Sequence, residues 1–214
     1  MSERGEQQIV QYRSWLFVPA DSEKKLARAS STGADVIILD LEDSVALQHK
    51  FIARPLATEW LRAHRTQITA GRPIGRWVRI NALDTNLWRD DLIPVMAGAP
   101  DGIMLPKAAG PAAVQQLGAE IYELEQRNGV PTGSTRILPL VSETPLSALG
   151  ITAYAEATAP RLAGLTWGAE DLSAAMGATR RTDEAGNWTQ LDRCLPLHPR
   201  ATAAHRPCPR GHGD

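Results

Sequence analysis

Five short apolar segments of this 214-residue chain each end at charged or amide side chains, and this repetition limits the folds that the chain can adopt. The segments are Val36–Leu41 before Glu42 and Asp43, Trp77–Val78 before Arg79 and Asn81, Ile103–Leu105 before Lys107, Ile137–Val141 before Ser142 and Glu143, and Leu162–Trp167 before Glu170 and Asp171. Barrels and doubly wound sheets carry their functional groups at the carboxyl ends of parallel strands. We therefore expect one cluster of carboxylates with an arginine and a lysine, suited to metal-assisted chemistry on an anionic substrate.

Strand-like and helix-like segments alternate along the chain, which predicts a parallel α/β sheet. The predicted strands are Ser14–Val18, Val36–Leu41, Gly75–Arg79, Gly102–Leu105, Arg136–Val141 and Leu162–Trp167. The predicted helices run from Asp21 or Ser22 to about Ser31, from about His49 to Arg65 with Pro55 either dividing it or starting its longer part, from Leu87 to Met96 with a break near Pro94, from Pro111 to about Arg127, and from Pro145 to about Thr158. Six βα units are recognisable, whereas a (β/α)₈ barrel needs eight and typically about 250 residues. The last two units are missing from this pattern.

The segment 190–214 does not continue the pattern. It contains four prolines, three of the five histidines and both cysteines, Cys194 and Cys208. The spacing of the cysteines and histidines matches no zinc motif. A disordered tail is one explanation, and we favour another, a change of coding frame that replaced a seventh βα unit. The expected organisation is a polar arm over residues 1–12, an incomplete barrel domain over 13–189, and a non-native tail over 190–214.

Charge and hydropathy exclude several classes of protein. The formal net charge is −1, so the sequence gives no reason to expect nucleic acid or an anionic membrane as a partner. No apolar run approaches the roughly 20 residues that span a bilayer. The polar start Met1–Gln8 lacks the apolar core of a signal peptide. We therefore expect a cytoplasmic protein.

Glu143 and Asp171 are the candidate metal ligands. A single acidic residue at a strand end usually caps a loop or lies at the surface. Here two of them follow consecutive predicted strands, and small residues surround both of them (Ser142, Gly168 and Ala169). Two carboxylates hold one Mg²⁺, or Mn²⁺, and leave its other positions for water and substrate oxygens. Such an ion polarises a carbonyl group and stabilises developing enolate charge.

Arg79 and Lys107 are the cations of the predicted cluster. Arg79 either binds a substrate carboxylate or enolate oxygen with two hydrogen bonds, or forms an ion pair with Asp40 or Glu42. Asp40, Glu42 and Asp43 are the densest acidic cluster in the chain, and three like charges require a cation nearby, either the metal with its water molecules or Arg79 and Lys107. Lys107 either binds substrate or neutralises this cluster, and we favour the second role.

Seven short motifs occur in a fixed order between Arg13 and Asn187. They are Arg13–Pro19, Gly33–Asp35, Leu39–Val45, Val78–Asn81, Leu105–Lys107, Glu143–Pro145 and Gly168–Leu172. In this combination they resemble the citrate lyase β-subunit group, the CoA-ester lyase branch of the HpcH/HpaI aldolase superfamily. One departure is Ala20, which stands where that group usually has glycine.

The resemblance implies a TIM (β/α)₈-type barrel, trimeric or hexameric, that cleaves malyl-, citramalyl- or citryl-CoA with Mg²⁺. It implies catalytic roles for Arg79, Glu143 and Asp171, with Glu143 and Asp171 as metal ligands and with Arg79 and Glu143 in contact with the substrate. It places Phe17 and Arg28 at positions that contact CoA. Glu42 and Asp43 would support the water molecules of the metal, and we place Asp40 and Lys107 with them in the layer of charged groups outside the metal ligands.

Three functions remain open on this basis. The first is a CoA-ester lyase that performs a retro-Claisen cleavage and releases an acetyl-CoA enolate and a keto acid. The second is a class II aldolase acting on free pyruvate and aldehydes, which would not need Phe17 and Arg28. The third is an inactive remnant. Because an unclosed barrel exposes strand edges, we expect the chain alone to be poorly stable or inactive.

Overall fold

The computed structural model describes residues 12–69, 72–177 and 184. Its strands are β1 Trp15–Pro19, β2 Val36–Asp40, β3 Ile68–Thr69, β4 Arg72–Pro73, β5 Gly75–Arg79, β6 Gly102–Leu105 and β7 Arg136–Pro139. Its helices are α1 Glu23–Ala29, α2 Lys50–Ala63, α3 Trp88–Met96, α4 Pro111–Asn128, α5 Pro145–Leu149, α6 Ala153–Glu156 and α7 Ala169–Ala175, with a 3₁₀ turn at Leu47–His49. The predicted arm, apart from Tyr12, and the predicted tail lie outside the described residues. Among the described helices, none has the length and apolar character needed to cross a membrane.

The main sheet has five parallel strands in the order β1-β2-β5-β6-β7. Each strand therefore pairs with the next long strand along the chain, as the alternating pattern predicts. β3 and β4 form a small antiparallel hairpin that the sequence analysis did not predict. The consecutive strand order is the order of a barrel, whereas a doubly wound sheet reverses direction at its centre.

The two faces of the sheet have different coverings. Alternate residues such as Ile37, Val78 and Ile103 belong to one buried cluster that also includes apolar residues of α1, α2, α3 and α4. The residues between them form a second cluster on the opposite face: Val36, Ile38, Trp77, Met104, Leu138 and Leu140. Four helices on one face and a separate apolar cluster on the other are the arrangement of a barrel wall. The helix-covered face is the outer face of this wall, and the face with the second cluster is its inner face. Within the described residues β1 and β7 stand at opposite ends of this wall.

A sixth segment extends the wall beyond β7. Ile137 forms a parallel bridge with Leu162, and Leu140 forms another with Thr166. The sequence predicts a continuous strand over Leu162–Trp167, and the structure shows only these two bridges in that range. The parallel direction agrees with the prediction.

Arg161 and Glu125 fix the start of the sixth segment to α4. Arg161 donates from Nη1 to Glu125 Oε1 at 2.8 Å and from Nη2 to Oε2 at 2.6 Å. The main-chain N–H groups of Gly133 and Thr135 donate to the same carboxylate. Burial alone would raise the pKa of Glu125, but these hydrogen bonds outweigh it and hold the pKa below its ordinary value.

The helices show where local sequence signals were sufficient and where they were not. α4 begins at Pro111 and ends before Gly129, whose φ of 64° is the left-handed conformation of a helix C-cap. The predicted division of α2 at Pro55 and break of α3 near Pro94 are wrong, because both helices continue through their proline. The predicted helix from Pro145 is instead divided into α5 and α6.

Candidate active site

The carboxyl ends of the parallel strands hold the polar residues that the sequence analysis selected. Asp40 ends β2, Arg79 ends β5, Lys107 follows β6, and Glu143 follows β7. Asp171 lies in the first turn of α7, directly after the sixth segment. Because all the strands point the same way, these side chains meet at one edge of the sheet.

Glu143 and Asp171 lie on either side of Gly168. A methyl group added at Gly168 would be 3.3 Å from Glu143 Oε1 and 3.6 Å from Asp171 Oδ2. The two carboxyl groups are also close enough to share a hydrogen bond. Ser142 holds the loop in place, because its hydroxyl accepts a hydrogen bond from the Gly168 N–H at 3.3 Å. The structure therefore brings the two predicted carboxylates to one point.

The pair strongly favours a proton or a cation between its oxygens. Burial raises the pKa of Glu143 to about 8, with further contributions from the hydrogen bond and the negative charge of Asp171. The N–H of Lys107, which donates to Glu143 Oε2, opposes this change. Two carboxyl groups in contact can share one proton, or both can ionise when a cation compensates their charge.

Arg79 forms the ion pair that the sequence analysis weighed against substrate binding. It donates to Asp40 from Nε at 2.7 Å and from Nη2 at 2.6 Å. Its Nη1 lies 2.9 Å from Glu42 Oε2, as an ion pair without hydrogen-bond geometry. Burial would raise the pKa of Asp40, but the hydrogen bonds from Arg79 reverse that effect and lower it. Burial would likewise lower the pKa of Arg79, and Asp40 raises it instead.

Lys107 connects the acidic cluster to the Glu143–Asp171 pair. Its Nζ lies 2.6 Å from Glu42 Oε1 and 3.8 Å from Asp43 Oδ1. Burial raises the pKa of Glu42, and the Lys107 hydrogen bond acts against it. Lys107 therefore forms ion pairs with the acidic cluster, and its role in neutralising that cluster stays a prediction.

The two residues expected to contact CoA have different positions. Phe17 lies on the inner face of β1, with the guanidinium carbon of Arg79 4.9 Å from its ring centre, and it is 44% exposed. Arg28 is exposed in the last turn of α1. No contact within the described part of the chain joins Arg28 to the carboxylates.

Lys50 and Asn81 are polar residues of this edge that the sequence analysis did not select. The Lys50 ammonium is buried and donates to the carbonyl groups of Leu41 and Glu42, at 2.8 and 3.0 Å. The Asn81 amide donates to the Leu41 carbonyl and to Asp91. Asn81 ends the Val78–Asn81 motif, so its position was available as a signal, whereas Lys50 appears in the sequence only as an ordinary helix residue.

A cavity of about 450 Å³ opens beside these residues. It is lined by polar and charged side chains and a few small ones: Glu42, Asp43, Val45, Lys50, Asn81, Ala82, Asp84, Thr85 and Lys107. This volume lies in the range of pockets that hold small organic ligands. The cavity shares Glu42 and Lys107 with the charged cluster.

The donor set fits a magnesium ion better than a structural zinc ion. Among the described residues, no three His, Cys, Asp or Glu side chains form a metal-binding group. Mg²⁺ is usually bound by one or two carboxylates and keeps water or substrate oxygens at its other positions. Glu143 and Asp171 supply such a pair, and because burial raises the pKa of Glu143, a bound cation would favour the ionised form of the pair.

Comparison with known proteins identifies the family to which the chain belongs. The model of the HpcH/HpaI aldolase/citrate lyase family matches residues 13–191. The chain belongs to the HpcH/HpaI aldolase/citrate lyase family. That range includes every residue of the site described above, and the resemblance inferred from short motifs is confirmed.

Two curated members of this family are each about one third identical in sequence to the chain. The chain is 33% identical to a (3S)-malyl-CoA thioesterase of Cereibacter sphaeroides over 190 residues, which are 86% of this chain and 58% of that protein. It is 35% identical to the citrate lyase subunit beta of Escherichia coli over 181 residues, which are 84% of this chain and 56% of that protein. The chain therefore spans a little over half the length of the curated relatives it matches.

Solved structures of family members share the fold. A citrate lyase beta subunit of Mycobacterium tuberculosis, complexed with oxaloacetate and magnesium, has a TM-score of 0.64 and 34% identity, and covers 87% of this chain and 71% of its own. A structure of the protein CitE from the same organism, with magnesium, acetoacetate and coenzyme A, has a TM-score of 0.63 and 32% identity, and covers 87% and 60%. These similarities confirm the predicted fold class.

Proposed function

We propose that this chain carries the active-site residues of a Mg²⁺-dependent carbon–carbon lyase that acts on a 3-hydroxyacyl-CoA such as malyl-, citramalyl- or citryl-CoA. The observation that carries the proposal is the meeting of Glu143 and Asp171 beside Gly168, in a chain of the HpcH/HpaI aldolase/citrate lyase family. Relatives whose structures contain magnesium with a keto acid or with coenzyme A support the choice of metal and substrate class.

Glu143 and Asp171 would hold the metal through their carboxylate groups. When bound, the ion would polarise the oxygens of the hydroxyacyl group and of the keto acid product. Glu143 is buried, and its Oε2 already accepts the N–H of Lys107. The carboxylate that reaches the metal is thus held in one orientation before substrate arrives.

Arg79 would stabilise the oxygen that becomes negative during cleavage. In this reaction the hydroxyl group gives up its proton to a base and becomes the carbonyl group of the keto acid, while the bond between its carbon and the carbon next to the thioester breaks. The electron pair of that bond forms the acetyl-CoA enolate, which is then protonated. A fixed cation near that oxygen lowers the barrier because it need not reorganise. Asp40 accepts from Nε and from one N–H of Nη2, and Nη1 lies 2.9 Å from Glu42 Oε2, so the guanidinium is fixed in place before substrate binds.

The CoA thioester would approach along the inner face of β1. Phe17 is half exposed there and lies against Arg79, so an aromatic surface adjoins the proposed enolate site. Arg28 is our second proposed contact with CoA, since its exposed guanidinium can pair with a phosphate group. The nearby 450 Å³ cavity would take the acyl part of the substrate.

Turnover assays on the full 214-residue chain test this proposal. The chain is incubated with malyl-, citramalyl- or citryl-CoA, with and without Mg²⁺, and the keto acid and the free thiol are measured separately. A lyase releases keto acid and leaves the thioester intact. The variants Glu143→Gln and Asp171→Asn should lose Mg²⁺ binding, whereas Glu120→Gln on α4 serves as a control outside the site.

A thioester hydrolase is the second candidate, favoured by the 33% identity to a (3S)-malyl-CoA thioesterase. Hydrolysis would release free thiol without keto acid, so the same assay separates the two reactions. Turnover of free pyruvate and an aldehyde without any CoA ester would instead favour a class II aldolase. A chain that binds no Mg²⁺ and turns over no thioester would refute the proposed function.

Assembly and domain boundaries are also proposals. We infer that the catalytic unit corresponds to residues 13–189 and that it associates as a homo-oligomer, a trimer or hexamer, without nucleic acid or membrane partners. The family match over residues 13–191 supports the boundaries proposed for the catalytic unit. Sedimentation of the chain at several concentrations tests the association.

A further inference from the structure

Lys107 has a backbone conformation that residues with a side chain rarely adopt. Its φ is 49°, in the left-handed region, and Ala99, with a φ of 50°, is the other non-glycine residue of this kind in the described part. The conformation costs roughly 1–2 kcal/mol for such residues. It persists only where surrounding contacts require it, so the contacts of Lys107 should explain it.

The main chain at Lys107 faces β7. Its N–H donates to Glu143 Oε2. The next residue, Ala108, donates its N–H to the Leu140 carbonyl at 3.1 Å, which fixes the turn against the end of the neighbouring strand. The side chain extends the other way, and its Nζ reaches Glu42. The main chain and the ammonium group thus act on two different carboxylates.

The two oxygens of Glu143 have different surroundings as a result. Oε2 accepts the Lys107 N–H, while Oε1 lies on the side of Gly168, where the Asp171 carboxyl group also lies. Without the hydrogen bond to Oε2, the carboxyl plane could rotate, since the torsion next to it has no strong rotamer preference.

We propose that Lys107 is a positioning residue of the metal site, whose left-handed main chain orients Glu143 so that Oε1 faces Asp171. The inference rests on the proposed function, and it adds that the backbone of Lys107, rather than its ammonium group, sets the metal affinity. Groups that orient a metal ligand typically change affinity by 10- to 100-fold when removed.

Two substitutions separate the backbone from the ammonium group. Lys107→Gly removes the ammonium group but keeps the N–H and adopts positive φ without strain. Lys107→Val also removes the ammonium group, and its branched side chain strongly disfavours positive φ. Ala99→Val is the matched control, because it puts the same strain at a positive-φ position away from the carboxylates.

Mg²⁺ titration by calorimetry, on variants shown to be folded by circular dichroism, gives the readout. Lys107→Gly should keep the wild-type dissociation constant within about threefold, whereas Lys107→Val should raise it by about tenfold or more. Ala99→Val should lower the urea midpoint without changing Mg²⁺ affinity. Equal loss of affinity in both Lys107 variants, or no loss in Lys107→Val, would overturn the inference.

A double-mutant cycle in the metal-free protein tests the same contact independently of the proposed function. Lys107→Val should shift the urea midpoint less in a Glu143→Leu background than in the wild type, because the hydrogen bond is already absent there. Additive shifts would overturn the inference. If the wild type binds no Mg²⁺ while the shifts are non-additive, the proposed function fails and the orienting contact stands.

Discussion

Arg79 and Asp40 face each other across neighbouring strands, Cα partner to Cα partner, and are joined by two hydrogen bonds of 2.7 and 2.6 Å. Asp40 also accepts the N–H groups of Glu42 and Ser44, so its carboxylate closes the turn after β2. The same contact therefore organises the acidic loop and holds the guanidinium that we assign to the substrate. Its removal should affect both stability and turnover.

Asp40→Asn should lower the free energy of unfolding by about 3 kcal/mol, since it breaks a buried ion pair and leaves the Arg79 charge only partly compensated by Glu42. Urea denaturation at neutral pH measures it. Asp43→Asn is the control, because Asp43 is exposed and lies 3.9 Å from Arg79 Nη1, and a surface change of this kind is worth about 0.5 kcal/mol or less. Equal destabilisation by the two variants would contradict the assignment of Asp40.

Gly168→Ala should weaken Mg²⁺ binding by about tenfold, similar to the loss of an orienting group. The added methyl group would lie 3.1 Å from Glu143 Cγ and 3.3 Å from its Oε1, so the carboxyl group must move. Isothermal titration measures the change. Gly164→Ala is the control, because its methyl group would meet only Leu138 Cδ1, at an ordinary 3.7 Å. Unchanged affinity in Gly168→Ala would place the metal elsewhere.

Much of the parallel sheet, and the cluster of polar residues at the carboxyl ends of its strands, could be predicted from sequence because the residue patterns that indicate them are local. The strand β2 starts with four apolar residues, Val36–Leu39, before Asp40, and all five of its residues are buried. The bounds of α4 follow from Pro111 and Gly129, which have fixed preferences at helix ends. The meeting of Glu143 with Asp171 then follows from the shared direction of parallel strands.

The remaining features depend on contacts between distant parts of the chain. The left-handed conformation of Lys107 is stabilised by Glu143 and by the end of β7, which no local pattern encodes. Lys50 is buried because two carbonyl groups after β2 accept its protons. α2 continues through Pro55 because burial holds the residues after the proline in the helix. Ala57 and Leu61, which are one helical turn apart, both pack into the core.

Glu125 should make stability depend on pH in the acid range. Its pKa is lower in the folded state than the ordinary value of 4.5, so the folded chain binds this proton more weakly than the unfolded chain. The stabilisation by the ionised Glu125 is complete above pH 4.5 and is lost as the pH falls through the pKa that Glu125 has in the folded state. Glu125→Gln should therefore destabilise the chain by about 3 kcal/mol at pH 7, and the difference should shrink on acidification.

Urea unfolding of both proteins over a pH series measures this difference. Glu120→Gln is the matched control on the same helix, because Glu120 pairs with the largely exposed Arg89. An exposed pair contributes roughly 0–1 kcal/mol, so this variant should follow the wild-type curve closely. A pH-independent difference between Glu125→Gln and the wild type would show that packing rather than charge accounts for the loss.

Gly102→Ala should destabilise the chain by about 3 kcal/mol, in the upper range for overpacked cores. The Trp77 ring covers Gly102 on the inner face of the wall, and an added methyl group would lie 2.4 Å from its Cζ3. Gly118→Ala on α4 is the control, because its nearest neighbour would be Arg161 Cδ at 3.5 Å. That change should stabilise the helix by about 0.5–1 kcal/mol.

A second substitution decides whether the Trp77 ring is the cause. Trp77→Leu removes ring atoms beside Gly102 and breaks no hydrogen bond of the indole, since Trp77 Nε1 has no partner within the described part of the chain. Trp77→Leu alone should lower stability through the cavity that it leaves. Combined with Gly102→Ala, the methyl group would occupy part of that space, so the double variant should be more stable than the sum of the two losses predicts. Additive losses in urea unfolding would mean that the inner face of the barrel wall is packed differently.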